Sequence, residues 1–147
     1  GDNAWEHNFK TGKTWFSAAI NYFLGYTAQE LNEYSNVDKW WQSTHPDDKL
    51  LLTKNDQEYR AGTRDSHSLE YRIFHKDGTM RWVLDRGVVI EKDERGKPVK
   101  IVGTHTDISK EKELQIELLN QREKKRKEIV EVAWALPTKI HELLGVR

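Results

Sequence analysis

Six histidines, the acidic pair Asp47-Asp48 and the triplet His105-Thr106-Asp107 have the widest chemical repertoire in this chain. Imidazoles and carboxylates together can ligate a metal, move a proton or hold a charge. Their spacing narrows that choice. Neighbouring helical residues point in different directions, so Asp47 and Asp48 build no shared cage. His105 and Asp107 fall on one face of a strand, but two ligands alone make no metal centre, and none is expected. Cysteine is absent, which removes disulfides, thiol catalysis and cysteine-ligated zinc or iron–sulfur sites. The sequence has no glycine-rich phosphate loop, nucleophile elbow or metalloprotease helix. Gly12-Lys13 and Gly96-Lys97 fit ordinary turns, and no catalytic site is expected in this segment.

Aromatic residues are the other resource. Phe23, Tyr59, Tyr71 and Trp82, with Trp5, Trp15, Trp40 and Trp41, are enough to line a partly polar pocket for an apolar or amphipathic organic ligand. The same residues also suit a packed core or an exposed sheet face. Both readings stand at this point.

The elements that must position these residues follow from local signals. Trp5–Phe9 and Thr14–Ser17, around Thr11-Gly12-Lys13, read as two short strands. Ala18–Leu24 has apolar residues at helical spacing, and Gly25 is placed to end that helix; Ala28–Leu31 adds a further turn. His45-Pro46-Asp47-Asp48 reads as a helix start, with Pro46 at the first position and two acidic residues beside the exposed N–H groups. That helix runs through Leu51, Leu52 and Tyr59 toward Gly62. Ser66–His75 and Met80–Lys92 flank Lys76-Asp77-Gly78-Thr79, a hairpin signal, and Val99–Asp107 supplies the last strand. The order β-β, helices, β-β-β predicts an α+β domain with helices on an antiparallel sheet.

Composition sets outer limits. The 147 residues suit one domain with an appendage, and 24 basic against 24 acidic residues give nothing that steers the chain to nucleic acid or anionic lipid. No apolar run approaches the ~20 residues of a membrane span, so no direct membrane insertion is expected in this segment. The lack of cysteine fits a reducing cytoplasm, although the parent protein can be membrane-associated through other segments. The chain lacks an initiating Met and reads as a piece cut from a longer protein.

Six motifs in fixed order carry a family resemblance. They are Trp15-Phe16-Ser17; Leu24-Gly25-Tyr26-Thr27 with Glu30-Leu31; His45-Pro46-Asp47-Asp48; Glu70-Tyr71-Arg72; His75-Lys76-Asp77-Gly78-Thr79 with Arg81-Trp82-Val83; and Gly103-Thr104-His105-Thr106-Asp107-Ile108-Ser109. The set resembles the PAS superfamily, in particular its subgroup with a PAC-type C-terminal half, as in bacterial sensor proteins. The resemblance implies a PAS domain over 1–109, its PAC half over 66–109, and a linker or signalling helix over 110–147. It implies a five-stranded antiparallel sheet with short helices on one face, followed by that C-terminal signalling helix. It also implies a sensory or relay role, within a homodimer, toward a downstream output domain.

Asp107-Ile108-Ser109 resembles the family's Asp-Ile-Thr junction, and Asp and Ser both suit a helix N-cap, where their side chains accept from the first free N–H groups. These three residues are the candidate signal-coupling site. Flavin adduct chemistry, as in photoreceptor relatives, needs a cysteine and is excluded. Haem through a histidine occurs in some members, but each histidine here has an ordinary structural place. No cofactor is expected, while a small organic ligand stays open.

Beyond Ile108 the chain turns helical and charge-rich. Leu114, Leu118, Ile129, Val132 and Leu136 share a helical stripe, interrupted at Asn120–Glu128 by a stretch without apolar residues; Pro137 should bend or break the helix. Leu114 and Leu118 are the candidate dimer-helix residues. His141-Glu142-Leu143 resembles the phosphoacceptor helix of histidine kinases, but Leu144-Gly145-Val146 follows where an Arg or Lys and a Pro are usual. The expected function is a sensory module, with a histidine kinase as its output. The alternatives are the input region of a diguanylate cyclase and a PAS-containing transcription regulator.

Overall fold

Five segments carry the inward–outward alternation of half-buried strands: β1 (Asn3–Asn8), β2 (Thr14–Phe16), β3 (Ser66–Phe74), β4 (Met80–Lys92) and β5 (Pro98–Asp107). In the computed structural model they form one antiparallel sheet in the order β2-β1-β5-β4-β3. The structure describes residues 2–27, 29–30 and 36–145. It divides into two compact units, one ending at Ser109 and the other beginning at Lys110.

Within the first unit, helices cover one sheet face: α1 (Ile20–Leu24), α2 (Asn36–Ser43), a 3₁₀ turn at Pro46–Asp48, and α3 (Lys49–Ala61). Their apolar sides meet the inward residues of the strands. Phe23, Leu24 and Trp40 cluster with Tyr71, Ile73 and Val83, while Tyr59 joins Trp5 and Ile101. Full burial of side chains such as Phe23 and Leu24 contributes about 1.5–3 kcal/mol each. The α+β sheet-and-helix arrangement expected from the sequence is therefore present.

Local punctuation worked largely as expected. Gly25 ends α1 at φ 76°, and the His75 ring occupies the space a Cβ would need there. The Asp77-Gly78 turn joins β3 to β4, with the Asp77 carboxylate accepting from the Thr79 N–H at 2.9 Å. Helix α1 is shorter than the alternation suggested. Of the extra turn expected over 28–31, Ala28 and Leu31 lie outside the described residues, and Gln29–Glu30 form a turn.

Helix α2 was not anticipated; it is eight residues long and its one buried residue is Trp40. The Thr44 hydroxyl bonds back to the Trp40 carbonyl at 2.8 Å, and Thr44 bridges to Ile73 of β3. Asp48, which with Asp47 lies in the first turn as expected, also forms a fork with Arg72 of β3. It accepts from the Arg72 backbone N–H, Nε and Nη2 at 2.8, 2.9 and 2.8 Å. That guanidinium holds the Asp48 carboxyl below its usual pKa. The side chain that caps the 3₁₀ turn is His45, whose Nδ1 accepts from the Asp47 N–H.

The second unit is helical. Helix α4 (Ser109–Trp134) and helix α5 (Thr138–Leu144) flank Pro137, which interrupts the helix because it has no N–H to donate and its ring crowds the preceding turn. Leu136 lies past the end of α4 but still lines one surface groove with Ile129 and Val132 of the expected stripe.

Candidate functional site

Strand register places two rows of residues side by side on the helix-covered face. One row runs Asn3, His105, Asp85 across β1, β5 and β4; the next runs Trp5, Gly103, Gly87, His67 across β1, β5, β4 and β3. The two glycines open a shallow bed for the Trp5 indole. Its ring lies stacked beside His67 (5.8 Å, 22°) and His105 (5.9 Å, 25°).

The polar atoms of these rows form one buried chain. Asp85 accepts from His67 Nε2 through Oδ1 at 2.8 Å and from the Tyr71 hydroxyl through Oδ2 at 2.7 Å, and His105 Nε2 lies 3.3 Å from that same Oδ2. Tyr71 accepts from Trp40 Nε1 at 3.0 Å. Assigning both imidazoles as Nε2–H tautomers completes every link. Tyr59 then donates to His67 Nδ1 at 2.6 Å, and Asn3 donates to His105 Nδ1 at 2.9 Å. Asn3 in turn accepts from the Ser17 hydroxyl at 2.9 Å.

Burial opposes the charge on Asp85, but His105 and His67 outweigh it and hold the carboxyl below the usual carboxylate range. Burial, with Asp85 alongside, raises the Tyr71 phenol well above its usual value; Tyr59 is pushed up to about 12, mainly by burial. Both phenols therefore stay protonated donors near neutrality.

This network forms one wall of a cavity of about 310 Å³, bounded on the other side by α2 and α3. Of the four aromatic residues expected to line a pocket, Tyr59 and Tyr71 do. Phe23 is fully buried in the neighbouring core, and Trp82 alternates onto the opposite face of β4. His67, Asp85 and His105 carry the chemistry of the wall and were not anticipated as a group. Their signal was the presence of polar residues at inward strand positions.

A second polar cluster sits where β5 ends. Asp107 accepts from the Ser109 N–H (2.9 Å), the Tyr22 hydroxyl (3.1 Å) and Arg81 Nη1 (3.2 Å). Burial works against its charge, but bonds from Ser109, Tyr22 and Arg81 hold the carboxyl below its usual pKa. The carboxylate thus ties α1, β4 and β5 to the first residue of α4. Ser109 departs from the N-cap expectation: its hydroxyl turns back to the sheet and accepts from the Trp82 N–H at 2.8 Å. Ile108 bonds the Trp82 carbonyl through its own N–H at 2.9 Å. His105 and Asp107, two residues apart, therefore serve separate networks.

In the helical unit, Leu114 and Leu118 are exposed one turn apart on α4. His141 is buried, its ring edge-on to Trp134 at 5.0 Å, and its Nε2 is enclosed without a partner among the described residues. No helix among the described residues is long and apolar enough to cross a membrane.

Comparison with known proteins places these features in context. The pattern of the family described as "PAS fold" matches residues 13–105. A methyl sulfide methyltransferase-associated sensor from Methanosarcina acetivorans is 32% identical over 102 residues, 67% of this chain; the match spans 10% of that relative's length. A sensory box histidine kinase/response regulator from Burkholderia thailandensis has a similar structure, with TM-score 0.71, 28% identity, and coverage of 86% of this chain and 91% of that one. The N-terminal domain of a diguanylate cyclase with PAS/PAC sensor from Marinobacter aquaeolei gives TM-score 0.62, 25% identity, and coverage of 76% and 98%.

Proposed function

We propose that this chain, which belongs to the PAS fold family, is a sensory module that passes a signal from its sheet through α4 to the output domain of a longer protein. The observation that carries the proposal is the Asp107 junction, where one carboxylate joins two strands, α1 and the first residue of the outgoing helix. A shift of β5 by a few tenths of an ångström changes those bonds together, and the start of α4 with them. A histidine kinase is the favoured output, because the similarity to the Burkholderia thailandensis histidine kinase reaches 86% of the chain. A diguanylate cyclase is the second reading, supported by the Marinobacter aquaeolei domain.

Asp107→Ala tests the relay. Loss of this cap and of the Arg81 pair costs about 1–3 kcal/mol, too little to unfold a domain with 5–15 kcal/mol in reserve. The sheet unit stays folded, hydrogen exchange over residues 108–118 accelerates about ten-fold, and the full-length protein loses stimulus-dependent output. Normal regulation with unchanged exchange would reduce the junction to a structural cap.

The module also works as a homodimer in this proposal, with Leu114 and Leu118 of α4 facing a second copy. Their exposure at i, i+4 supplies an apolar stripe that water disfavours. The double change Leu114→Glu, Leu118→Glu should raise the dimer dissociation constant about 100-fold or more in sedimentation equilibrium. An unchanged constant would place the dimer contact elsewhere.

A further inference from the structure

We infer that His105 makes this domain a proton sensor: on acidification it takes a proton from solvent at Nδ1, and the charged ring draws β5 toward Asp85. This rests on the sensory reading above and names its stimulus.

Asp85 is a buried carboxylate with no Lys or Arg partner among the described residues; His67, His105 and Tyr71 face its charge. A buried charge without a counter-charge is costly, so protonating one imidazole turns a lone anion into an ion pair. Hydrogen bonds decide which ring accepts. At His67 a proton on Nδ1 meets the Tyr59 hydroxyl, which must then reverse. That phenol is buried, with no other acceptor among the described residues, so its O–H would be stranded. At His105 the same proton meets the Asn3 amide, which reverses by turning over. Asn3 Oδ1 then accepts from Nδ1–H, and Nδ2 donates to the Ser17 hydroxyl. Ser17 is partly exposed, so its freed O–H turns to water. The His105 ring also lies flat on the Trp40 indole, centroids 4.1 Å apart at 17°, and an aromatic face favours a cation.

Distance supplies the coupling. His67 already sits 2.8 Å from Asp85, whereas His105 lies at 3.3 Å. A charge-assisted bond closes to about 2.7–2.9 Å. Protonation therefore pulls on β5 two residues before Asp107, whose carboxylate holds the start of α4.

Other ionisable groups around the cluster keep their state. Burial, against Asp56 and with Arg60, lowers the His7 pKa and keeps that ring of β1 neutral. Asp56 and Arg60 of α3 pair with each other at 2.8 Å; beyond Tyr59, Arg64 pairs with Glu58 and Asp65 with Lys92. The Tyr59 and Tyr71 phenols stay protonated. From α1, α2 and β2 the His105 ring meets Phe23, Trp40 and Phe16.

The test is ring-nitrogen NMR of the purified chain from about pH 8 to about pH 5, the interval in which imidazoles change charge. His105 should gain the two-proton imidazolium pattern while His67 keeps its neutral Nε2–H form. The Ser109 amide, which donates to Asp107, should shift along the same curve; the Asp107 carboxyl, held below its usual pKa, stays ionised throughout. Asp85→Asn removes the anion and should weaken proton uptake at His105 about ten-fold or more, and the nearly isosteric Asn3→Asp should strengthen it by about as much. In His105→Gln the Ser109 amide should stay flat, and the full-length protein should lose its response to pH. A His105 ring that stays neutral, a proton on His67 instead, or uptake insensitive to both Asp85→Asn and Asn3→Asp would overturn the inference. So would a Ser109 curve, or a pH response of output, that persists in His105→Gln. Asp107→Ala should leave uptake at His105 intact, so lost output in that variant speaks to the relay and failed uptake speaks to the stimulus.

Discussion

Asp85→Ala should lower the unfolding free energy of the sheet unit by about 3–5 kcal/mol, the cost of removing one partner from a buried charged network. The side chain is almost fully enclosed, and three donors converge on it: His67 Nε2, the Tyr71 hydroxyl and His105 Nε2. Alanine leaves all three buried without an acceptor, and opens a void next to Trp5 and Trp40. Asp85→Asn keeps one acceptor but points an amide N–H at a donor, so an intermediate loss of about 1–3 kcal/mol is expected. Urea unfolding monitored by tryptophan fluorescence measures both. A loss below about 1 kcal/mol for the alanine variant would mean that the network relaxes or takes in water, and that the buried charge is not structural.

The same residue sets an acid limb. Its folded pKa lies below the ordinary carboxylate value, so its stabilisation is complete above the unfolded pKa of about 3.9. That contribution is lost as pH falls through the lower folded value. The stability gap between the native protein and Asp85→Asn should therefore narrow as pH drops below about 4. A gap that widens over that range would contradict the assignment of the charge to Asp85.

Gly103→Ala should be comparably damaging for a steric reason. A Cβ at this position overlaps the backbone carbonyl oxygen of Arg86 and the Trp5 ring. The carbonyl belongs to β4, next to the register pair Gly87–Gly103, and the indole is held between two imidazoles. The carbonyl cannot yield without parting β4 from β5. Overpacking of this kind costs about 3 kcal/mol, a fall in Tm on the order of 10–20 °C for a domain this size. Gly87→Ala is the internal comparison. Its Cβ meets only side-chain atoms of His67 and Trp5, at 2.5–2.9 Å, so the cost should be smaller. Calorimetry that ranks Gly87→Ala as the worse variant would show that Trp5, rather than the strand backbone, is the rigid element.

Much of the fold was legible because its signals are local. Asp77-Gly78 specified a hairpin, Gly25 a left-handed helix end, and Pro137 an interruption between α4 and α5. The ordered motifs from Trp15 to Ser109 carried the family, and the structure shows the five-stranded sheet they imply. Helix α2 was illegible for the converse reason. It buries Trp40 alone, and its place is fixed by Thr44 and His45 bonding to β3, contacts that no window of neighbouring residues contains.

The site divides along the same line. Sequence alone selected Tyr59, Tyr71 and the Asp107 junction, by residue type and by position in a motif. It misplaced Trp82, because alternation says which residues share a face without saying which face is covered. It passed over His67, Asp85 and His105, each plausible on its strand as an ordinary surface residue. Only the pairing of β1 with β5 and of β5 with β4 sets Asn3, His105 and Asp85 in one row, and Trp5 on the bed of Gly103 and Gly87 beside His67. Local composition decides whether a segment is a strand. Which strands become neighbours, and in what register, is decided by burying the whole apolar face at once, and the chemistry of this cavity comes from that choice.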